Sequence, residues 1–475
     1  MTSVSGLGVK PDEVANKGDR MRRGSPRTGR VFALTIATLG MALVAAGCGN
    51  ADKGSSSAAT TTADSGGSGA STTAGGNFPA VTAPGVTATE IKVGGVAAVT
   101  NPLGGSYGSA FDGAQAYFDM INSEGGVYGR KLVLAEKKDD QFANNKSVVD
   151  GLIGDDIFAV LPVATLLFTG ADALVKSGIP TFGWTVNKEW SGTTADPRLN
   201  MFGQTGSYLG FTDPSPNVPY LANKVGAKKV GVLAYTAEQS AQCAEGTKNS
   251  FEKFSPAGGA KIVYLDKTLS YGDKNLSVQV GKMKDAGVDF VTTCMDTNGV
   301  VTLATEMDKQ GLIAPQYLPN GYDDDFIKQY GDLFDGSITR TDFAPWNLPA
   351  AEQPKGTANF VKWLTKAGKP FNENAAAGWL NANLLVDGLK AAGPNFDRAK
   401  VIAAINAFTN WTGNGMASGV DWTKQHTQKK DENSGCDMIS VIKGGKFTTP
   451  YSKPGKPFLC VDGNVPGKLT ATNSA

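Results

Sequence analysis

GVTATEIKVGGVAAVTNPLGGSYGSAFDGAQAYFDMINSEGGVYGRKLVLAEKKDD, residues 85–140, sets the reading of the whole chain. Residues 91–99 form a short apolar run of the kind that makes a buried strand. A glycine-rich loop follows over 100–108. Residues 109–124 then place Phe111, Ala114, Tyr117, Phe118 and Ile121 at helical spacing, until Gly125 and Gly126 stop the helix. Residues 131–136 alternate as a second strand. Strand, helix and strand at this spacing make a βαβ unit, whose two strands must be parallel.

The rhythm continues outward from this unit. Residues 147–153 read as a helix, 158–161 as a strand, 169–177 as a helix and 180–183 as a strand. It then restarts, with strands at 229–235, 261–265, 289–293 and 316–318. These alternate with helices at 243–254, 278–286 and 300–310. A long helix over 375–392 precedes a β-rich tail in which 439–443 and the turn Gly444-Gly445 read as a hairpin. The fold class is therefore α/β: two Rossmann-like lobes with parallel central sheets, their element order alike and their sequences different.

The first 85 residues are unlike this body. Five arginines (Arg20, Arg22, Arg23, Arg27, Arg30) precede an uncharged run over 31–46, which is too short to span a bilayer comfortably. A basic segment, a short apolar run and small residues at its end describe an export signal. The run closes Ala45-Ala46-Gly47-Cys48, similar to the lipobox of bacterial lipoproteins, so Cys48 is the expected lipidated N-terminus after removal of residues 1–47. Of residues 49–76, 24 of 28 are Gly, Ala, Ser or Thr, a composition that cannot bury enough surface to offset ordering entropy. Residues 48–85 are expected to be a flexible tether to the membrane.

Composition removes several functions. The chain of 475 residues has 45 basic and 44 acidic side chains and one histidine. It lacks the basic footprint of a nucleic-acid binder, and a single imidazole argues against His-based metal sites and Ser–His or Cys–His catalysis. No cofactor or metal is implied. Carboxylate catalysis needs paired acids in one cleft. The adjacent runs Asp139-Asp140, Asp155-Asp156 and Asp323 to Asp325 read better as solvated loops and helix caps, so an enzyme is not expected. Apart from Cys48 the cysteines are Cys243, Cys294, Cys436 and Cys460. An even number in an exported chain favours disulfides. Three connectivities are possible, of which Cys243–Cys294 with Cys436–Cys460 is favoured.

EIKVG at the first strand, Tyr107-Gly108 closing the loop, INSEGGVYGRKL, and later IFAVLP, KSGIPTFG, KKVGVLAY, AGVDFVTT and GGKF resemble the bacterial branched-chain amino-acid-type substrate-binding proteins of ABC importers. The resemblance covers about residues 85–460. It implies a type I periplasmic-binding fold whose lobes, joined by three crossing segments, close on a small ligand by hinge bending. Crossings are expected near 203–206, 339–343 and 410–413. Lobe I is then 86–205 plus 340–410, lobe II is 206–339 plus 411–465, and 466–475 is a tail. The expected partners are a small-molecule ligand (an amino acid or related amide), an ABC permease, and the membrane through the lipid anchor. A sensor subunit of a signalling system, or a binder of a non-amino-acid small metabolite, is the alternative reading.

The resemblance also implies where the ligand would be held. Tyr107 matches an aromatic that packs on the ligand side chain. Ala164 and Thr165, after the third strand, sit where relatives hold a carboxylate. Trp184, Thr185 and Asn187 follow the fourth strand; Thr185 offers a hydroxyl, and Trp184 is either a pocket wall or core. In lobe II, Gln239 and Ser240 replace a frequent tyrosine. Asp296 is a carboxylate able to meet an ammonium. Asn320 is neutral where amino-acid binders often carry an acid.

Overall fold

The computed structural model describes residues 78–207, 210–426 and 434–475. The signal, Cys48 and the tether up to residue 77 lie outside them. The first lobe begins with β1 (Glu90–Ala97), α1 (Ser109–Ser123), β2 (Lys131–Asp139), α2 (Asn145–Gly154), β3 (Ala159–Ala164), α3 (Ala171–Ser177), β4 (Thr181–Gly183) and β5 (Met201–Gly203). The second contains α4 (Asn217–Lys224), β6 (Lys229–Tyr235), α5 (Glu238–Phe254), β7 (Lys261–Leu269), α6 (Ser277–Ala286), β8 (Phe290–Cys294), α7 (Thr297–Gln310), β9 (Gln316–Leu318), α8 (Asp324–Tyr330) and β10 (Ile338–Thr341). The chain then returns to lobe I for α9 (Lys355–Lys366), α10 (Glu373–Ala392) and α11 (Arg398–Asn406). It finishes in lobe II with β11 (Ser434–Lys443), β12 (Lys446–Thr448), β13 (Phe458–Val465) and β14 (Lys468–Ser474).

Lobe I is built on a five-stranded sheet, β2-β1-β3-β4-β5, parallel throughout. Such a sheet must be covered on both faces, and it is. α1 and α10 bury Phe118, Ile121, Trp379 and Leu385 on one side. α2 and α3 bury Val149, Leu152 and Leu174 on the other. Lobe II has the same parallel core, β9-β8-β6-β7, but β10 carries antiparallel additions through β11, β13 and β14.

Four expectations change. Residues 466–475 are not a tail: β14 pairs with β13 from Phe458↔Ser474 to Val465↔Lys468, because the alternating KLTATNS follows a turn at Gly467. The tether ends earlier than residue 85. Phe78 packs edge-on to Tyr128, and Arg130 Nη2 donates to Pro79 O at 2.9 Å. The third crossing is not at 410–413. Trp411 bridges Val420 and donates to Asp387, Trp422 packs on Phe202, and residues 411–426 thus belong to the lobe I core. Residues 427–433, between His426 and β11, lie outside the described residues. Finally, α5 starts at Glu238, so Cys243 sits in its second turn rather than at its beginning.

The first two crossings are tied together. Asn381 donates to Gln204 Oε1 at 2.7 Å, and Gln204 reaches Asp342 at 3.4 Å. Both disulfides join lobe II elements: Cys243–Cys294 links α5 to the end of β8, and Cys436–Cys460 links β11 to β13. Among the described residues no helix is long and apolar enough to cross a membrane.

Candidate functional site

In open α/β sheets the loops at the carboxyl ends of the strands gather where ligands bind. Both sheets here turn those ends toward one interlobe cleft. From lobe I, Leu103 and Tyr107 follow β1, Phe142 follows β2, Leu166 and Leu167 follow β3, and Trp184 follows β4. From lobe II, Gln239 follows β6, Tyr271 follows β7, Asp296 follows β8, Asn320 follows β9, and Arg340 lies in β10. The space enclosed, counting the mouth, is about 920 Å³.

The lobes touch across this cleft. Asn298 donates from its backbone to Leu103 O at 3.4 Å and from Nδ2 to Pro102 O at 3.3 Å. Gln239 Nε2 reaches Leu166 O at 3.4 Å, and Lys188 pairs with Glu238 at 2.8 Å. Phe142 and Tyr271 meet edge to face with centroids 6.2 Å apart. The structure is therefore a closed form.

Six of the ten expected ligand contacts come together at the cleft: Tyr107, Trp184, Gln239, Ser240, Asp296 and Asn320. Tyr107 folds over Gly105, where a β-carbon would lie 2.6 Å from its ring, and burial pushes its hydroxyl well above the usual tyrosine range. Three of the six are already engaged, Gln239 through its bond to Leu166 O. Ser240 accepts from Tyr235 N at 2.7 Å and donates to Cys294 O at 2.5 Å. Asp296 caps α7, accepting from Gly299 N at 3.1 Å and from the Tyr235 hydroxyl at 2.7 Å. It is neither a solvated loop carboxylate nor an unpaired one.

Ala164, Thr165 and Thr185 do not line the cleft, and Asn187 lines an adjoining space between Leu167 of lobe I and Gln239 of lobe II. Ala164 ends β3 in the core, its carbonyl accepting from Ala98 N. The Thr165 hydroxyl points to Asn145 Nδ2 at 3.5 Å, and the Thr185 hydroxyl lies 3.3 Å from that of Thr205. Asn187 is buried and donates to Leu166 O at 2.9 Å, which holds the loop carrying Leu166. Their polar groups fasten the loops whose apolar neighbours form the wall. Polar side chains buried beside a strand end normally find partners, and those of Thr165 and Thr185 are interior, while Asn187 Oδ1 has no hydrogen-bond partner among the described residues.

Sequence reasoning passed over Phe142 and Tyr271. They occupy equivalent positions, after the second parallel strand of each lobe's rhythm, and the same search of loops after strands would have found them. Gln141 and Phe142 both have positive φ, at 50° and 69°. That conformation is uncommon for residues with a β-carbon and concentrates at ligand clamps. Arg340 was also missed. Its Nε and Nη2 bind Asp437 Oδ1 at 2.9 and 2.8 Å, while Asn217 donates to the other oxygen. Burial works against the guanidinium charge, but Asp437, with Tyr317 and Asp342, more than offsets it and holds the group firmly protonated.

Two lobes of like topology, closed over a cleft at their strand ends, define a two-lobed binding protein. The chain belongs to the periplasmic binding protein family, whose model matches residues 90–436. It is similar to the Leu/Ile/Val-binding protein BraC3 of Rhizobium johnstonii, at 27% identity over 213 residues, 42% of this chain and 53% of that protein. The Leu/Ile/Val-binding protein homolog 3 of Brucella melitensis is 25% identical over 205 residues, with the same coverage of each chain. The chain thus spans about half the length of the curated relatives it matches.

Solved structures show the same fold. The branched-chain amino acid transporter substrate binding protein LivJ of Streptococcus pneumoniae, in complex with isoleucine, matches with TM-score 0.61 and 17% identity. That match covers 81% of this chain and all of the other. A fatty acid ABC transporter substrate-binding protein from Thermomonospora curvata gives TM-score 0.58 at 17% identity, covering 83% and 94%. A benzoate complex of an ABC transporter solute-binding protein from R. palustris gives 0.58 at 19%, covering 76% and 95%.

Proposed function

We propose that this protein is the extracytoplasmic solute receptor of an ABC importer. It captures one small molecule between its lobes, closes by hinge bending and presents the closed form to a permease, without chemistry of its own. The observation that carries this reading is the cleft itself, fed by the carboxyl ends of both sheets and bridged by contacts that exist only when the lobes are together. The favoured ligand is an amino acid, or a related small molecule, with an apolar or aromatic body. Tyr107, Phe142, Trp184 and Tyr271 supply apolar surface, and polar groups are few and placed singly, as in small-molecule sites generally. The named relatives bind Leu, Ile or Val, and the neighbours hold isoleucine or benzoate.

Cys48 is proposed as the lipid attachment point, with residues 49–77 as the tether. Two or more acyl chains make such anchoring stable. A thermal-shift screen of the full chain against leucine, isoleucine, valine, phenylalanine, benzoate and octanoate tests the ligand class, because a ligand that binds only the folded state raises Tm. An upward shift with at least one amino acid is expected. A set of shifts confined to the two acids would overturn the amino-acid reading. Mass analysis of the mature N-terminus should find diacylglyceryl-Cys48.

A further inference from the structure

Just past β2 the chain makes a turn that is costly to hold. Gln141 and Phe142 are the only consecutive non-glycine residues with positive φ among the described residues. A residue with a β-carbon stays in that region only where its surroundings over-determine it. Here they do. Asp139 Oδ1 accepts from Gln141 N at 2.8 Å, and Asp140 Oδ1 accepts from Phe142 N at 3.0 Å. Asn144 Nδ2 donates to Gln141 Oε1 at 3.0 Å.

Asp140 reaches further than its own turn. It is wholly buried, and its second oxygen accepts from Asn145 Nδ2 at 3.2 Å. Asn145 is wholly buried as well. Its Oδ1 accepts from Gly170 N at 2.9 Å, and its Nδ2 lies 3.5 Å from the Thr165 hydroxyl. One carboxylate thus joins the loop that carries Phe142 to the loop that carries Leu166 and Leu167, and all three apolar side chains line the cleft. A buried carboxylate is costly unless it is well paired. Burial pushes this carboxyl up, with Asp139 adding to the effect, while Asn145, the Phe142 N–H and Thr165 pull the other way. Solute capture as described above makes no use of Asp140, which lies behind the cleft wall.

The other half of the contact is fixed just as firmly. Phe142 meets Tyr271 of lobe II edge to face, with the ring planes at 87°. Tyr271 is 40% exposed and rests on the Tyr235 ring, centroid to centroid 4.6 Å. The Tyr235 hydroxyl donates to Asp296, the cap of α7. α7 carries Asn298, which bonds to Pro102 O and Leu103 O across the cleft. Each ring is therefore held from behind by its own lobe. Rings held in place lose little freedom when the lobes meet, so more of their attraction is left to favour closure.

We infer that Phe142 and Tyr271 form an aromatic latch that prolongs the closed form, and that Asp140 is its positioning residue, acting through the Phe142 N–H and Asn145. The inference rests on the solute-receptor reading and adds to it a determinant of closure that acts between the lobes and not through the solute.

Asn298 supplies the readout. It is the second residue of α7, so its amide has no partner within the helix, and its acceptor is Leu103 O in the other lobe. Hydrogen exchange at that amide therefore reports opening. It would be followed by fragmentation mass spectrometry on the full chain, free and with isoleucine in excess. The wild-type amide is expected to be protected. Phe142→Ala and Tyr271→Ala should each lower the protection by about two- to tenfold, the range that an aromatic pair supports. The double variant should lose little more than either single one. Asp140→Ala should match Phe142→Ala. Asp140→Asn combined with Asn145→Asp exchanges carboxylate and amide while keeping an oxygen for Phe142 N and for Gly170 N, and it should restore protection. Unchanged protection in Phe142→Ala and Tyr271→Ala, with wild-type melting curves, overturns the latch and leaves the receptor standing. Loss of protection in Phe142→Ala but not in Asp140→Ala overturns the role of Asp140. An unprotected Asn298 amide in the wild type under both conditions overturns the latch; if none of the screened solutes raises Tm either, the receptor reading falls with it.

Discussion

The two lobes share a topology and hold it by different means. In lobe I, α1 and α10 approach so closely that a β-carbon on Gly113 would lie 1.8 Å from Ala375 O, and one on Gly378 would lie 2.0 Å from Ala110 O. The described part of this lobe contains no cysteine. Lobe II has a comparable close approach, a β-carbon on Gly246 lying 1.9 Å from Phe211 O, and adds two covalent links and an antiparallel extension of its sheet. Both lobes are therefore intolerant of added volume at these glycines, and lobe II alone is also sensitive to loss of cross-links. A binding protein needs both to be rigid, because hinge closure reports a ligand only if the lobes move as bodies.

The largest effect is expected from added volume in lobe I. Gly113→Val or Gly378→Val must push two helices apart, and each should cost about 4 kcal/mol or more. Denaturant unfolding would check this, and a wild-type midpoint would remove close packing as the basis of lobe I. Next comes removal of the cross-links. Replacing Cys243 and Cys294 by alanine should cost about 2–4 kcal/mol, and slightly less for Cys436 and Cys460. The order follows from the sequence separations of 51 and 24 residues, since the longer loop gains more unfolded-state entropy when freed. Scanning calorimetry with and without reductant should show each lobe II variant losing part of its sensitivity to reductant, since it keeps the other bridge.

A smaller effect separates the lobes by pH. His426, buried against Phe202 and Trp422 in the lobe I core, has its pKa lowered by burial to about 4. Unfolded, it would titrate near 6.5. The folded state therefore keeps this contribution above about pH 6.5 and loses it progressively as pH falls toward 4, by roughly 2 kcal/mol at pH 5. His426→Gln should flatten the stability profile in that window; an unchanged slope between pH 7 and 5 would show that other groups dominate. The smallest effect is expected at the rim. Lys188 and Glu238 are more than half exposed, so Glu238→Gln should change stability by less than about 1 kcal/mol and act on the rate of lobe opening if it acts at all.

The α/β rhythm was legible because its signals are local. Apolar runs at strand spacing and helical spacing in 85–140 describe elements that β1, α1 and β2 then form within a few residues. The start of α5 was misread because no side-chain cap marks it: Ala237 is its N-cap. A crossing near Asn410 and Gly413 was expected from the resemblance and not from a local pattern. Their neighbours Trp411 and Trp422 are instead drawn into lobe I by contacts with Asp387 and Phe202, remote in sequence.

The sequence by itself determined the class of fold and the loops that could reach a ligand, and it raised the expectation of an export segment ahead of the α/β body. Hydrophobic periodicity and composition are properties of short windows, so one chain suffices to read them. Only the tertiary structure decided which side chains on those loops face the cleft. Thr165 and Thr185 turn inward to Asn145 and Thr205, while Phe142 and Tyr271 turn outward to meet each other. Glu373 joins Tyr107 at one chamber because α10 returns to lobe I after the whole core of lobe II has been built. Such meetings depend on twist, crossing and packing between segments hundreds of residues apart, and no local pattern encodes them.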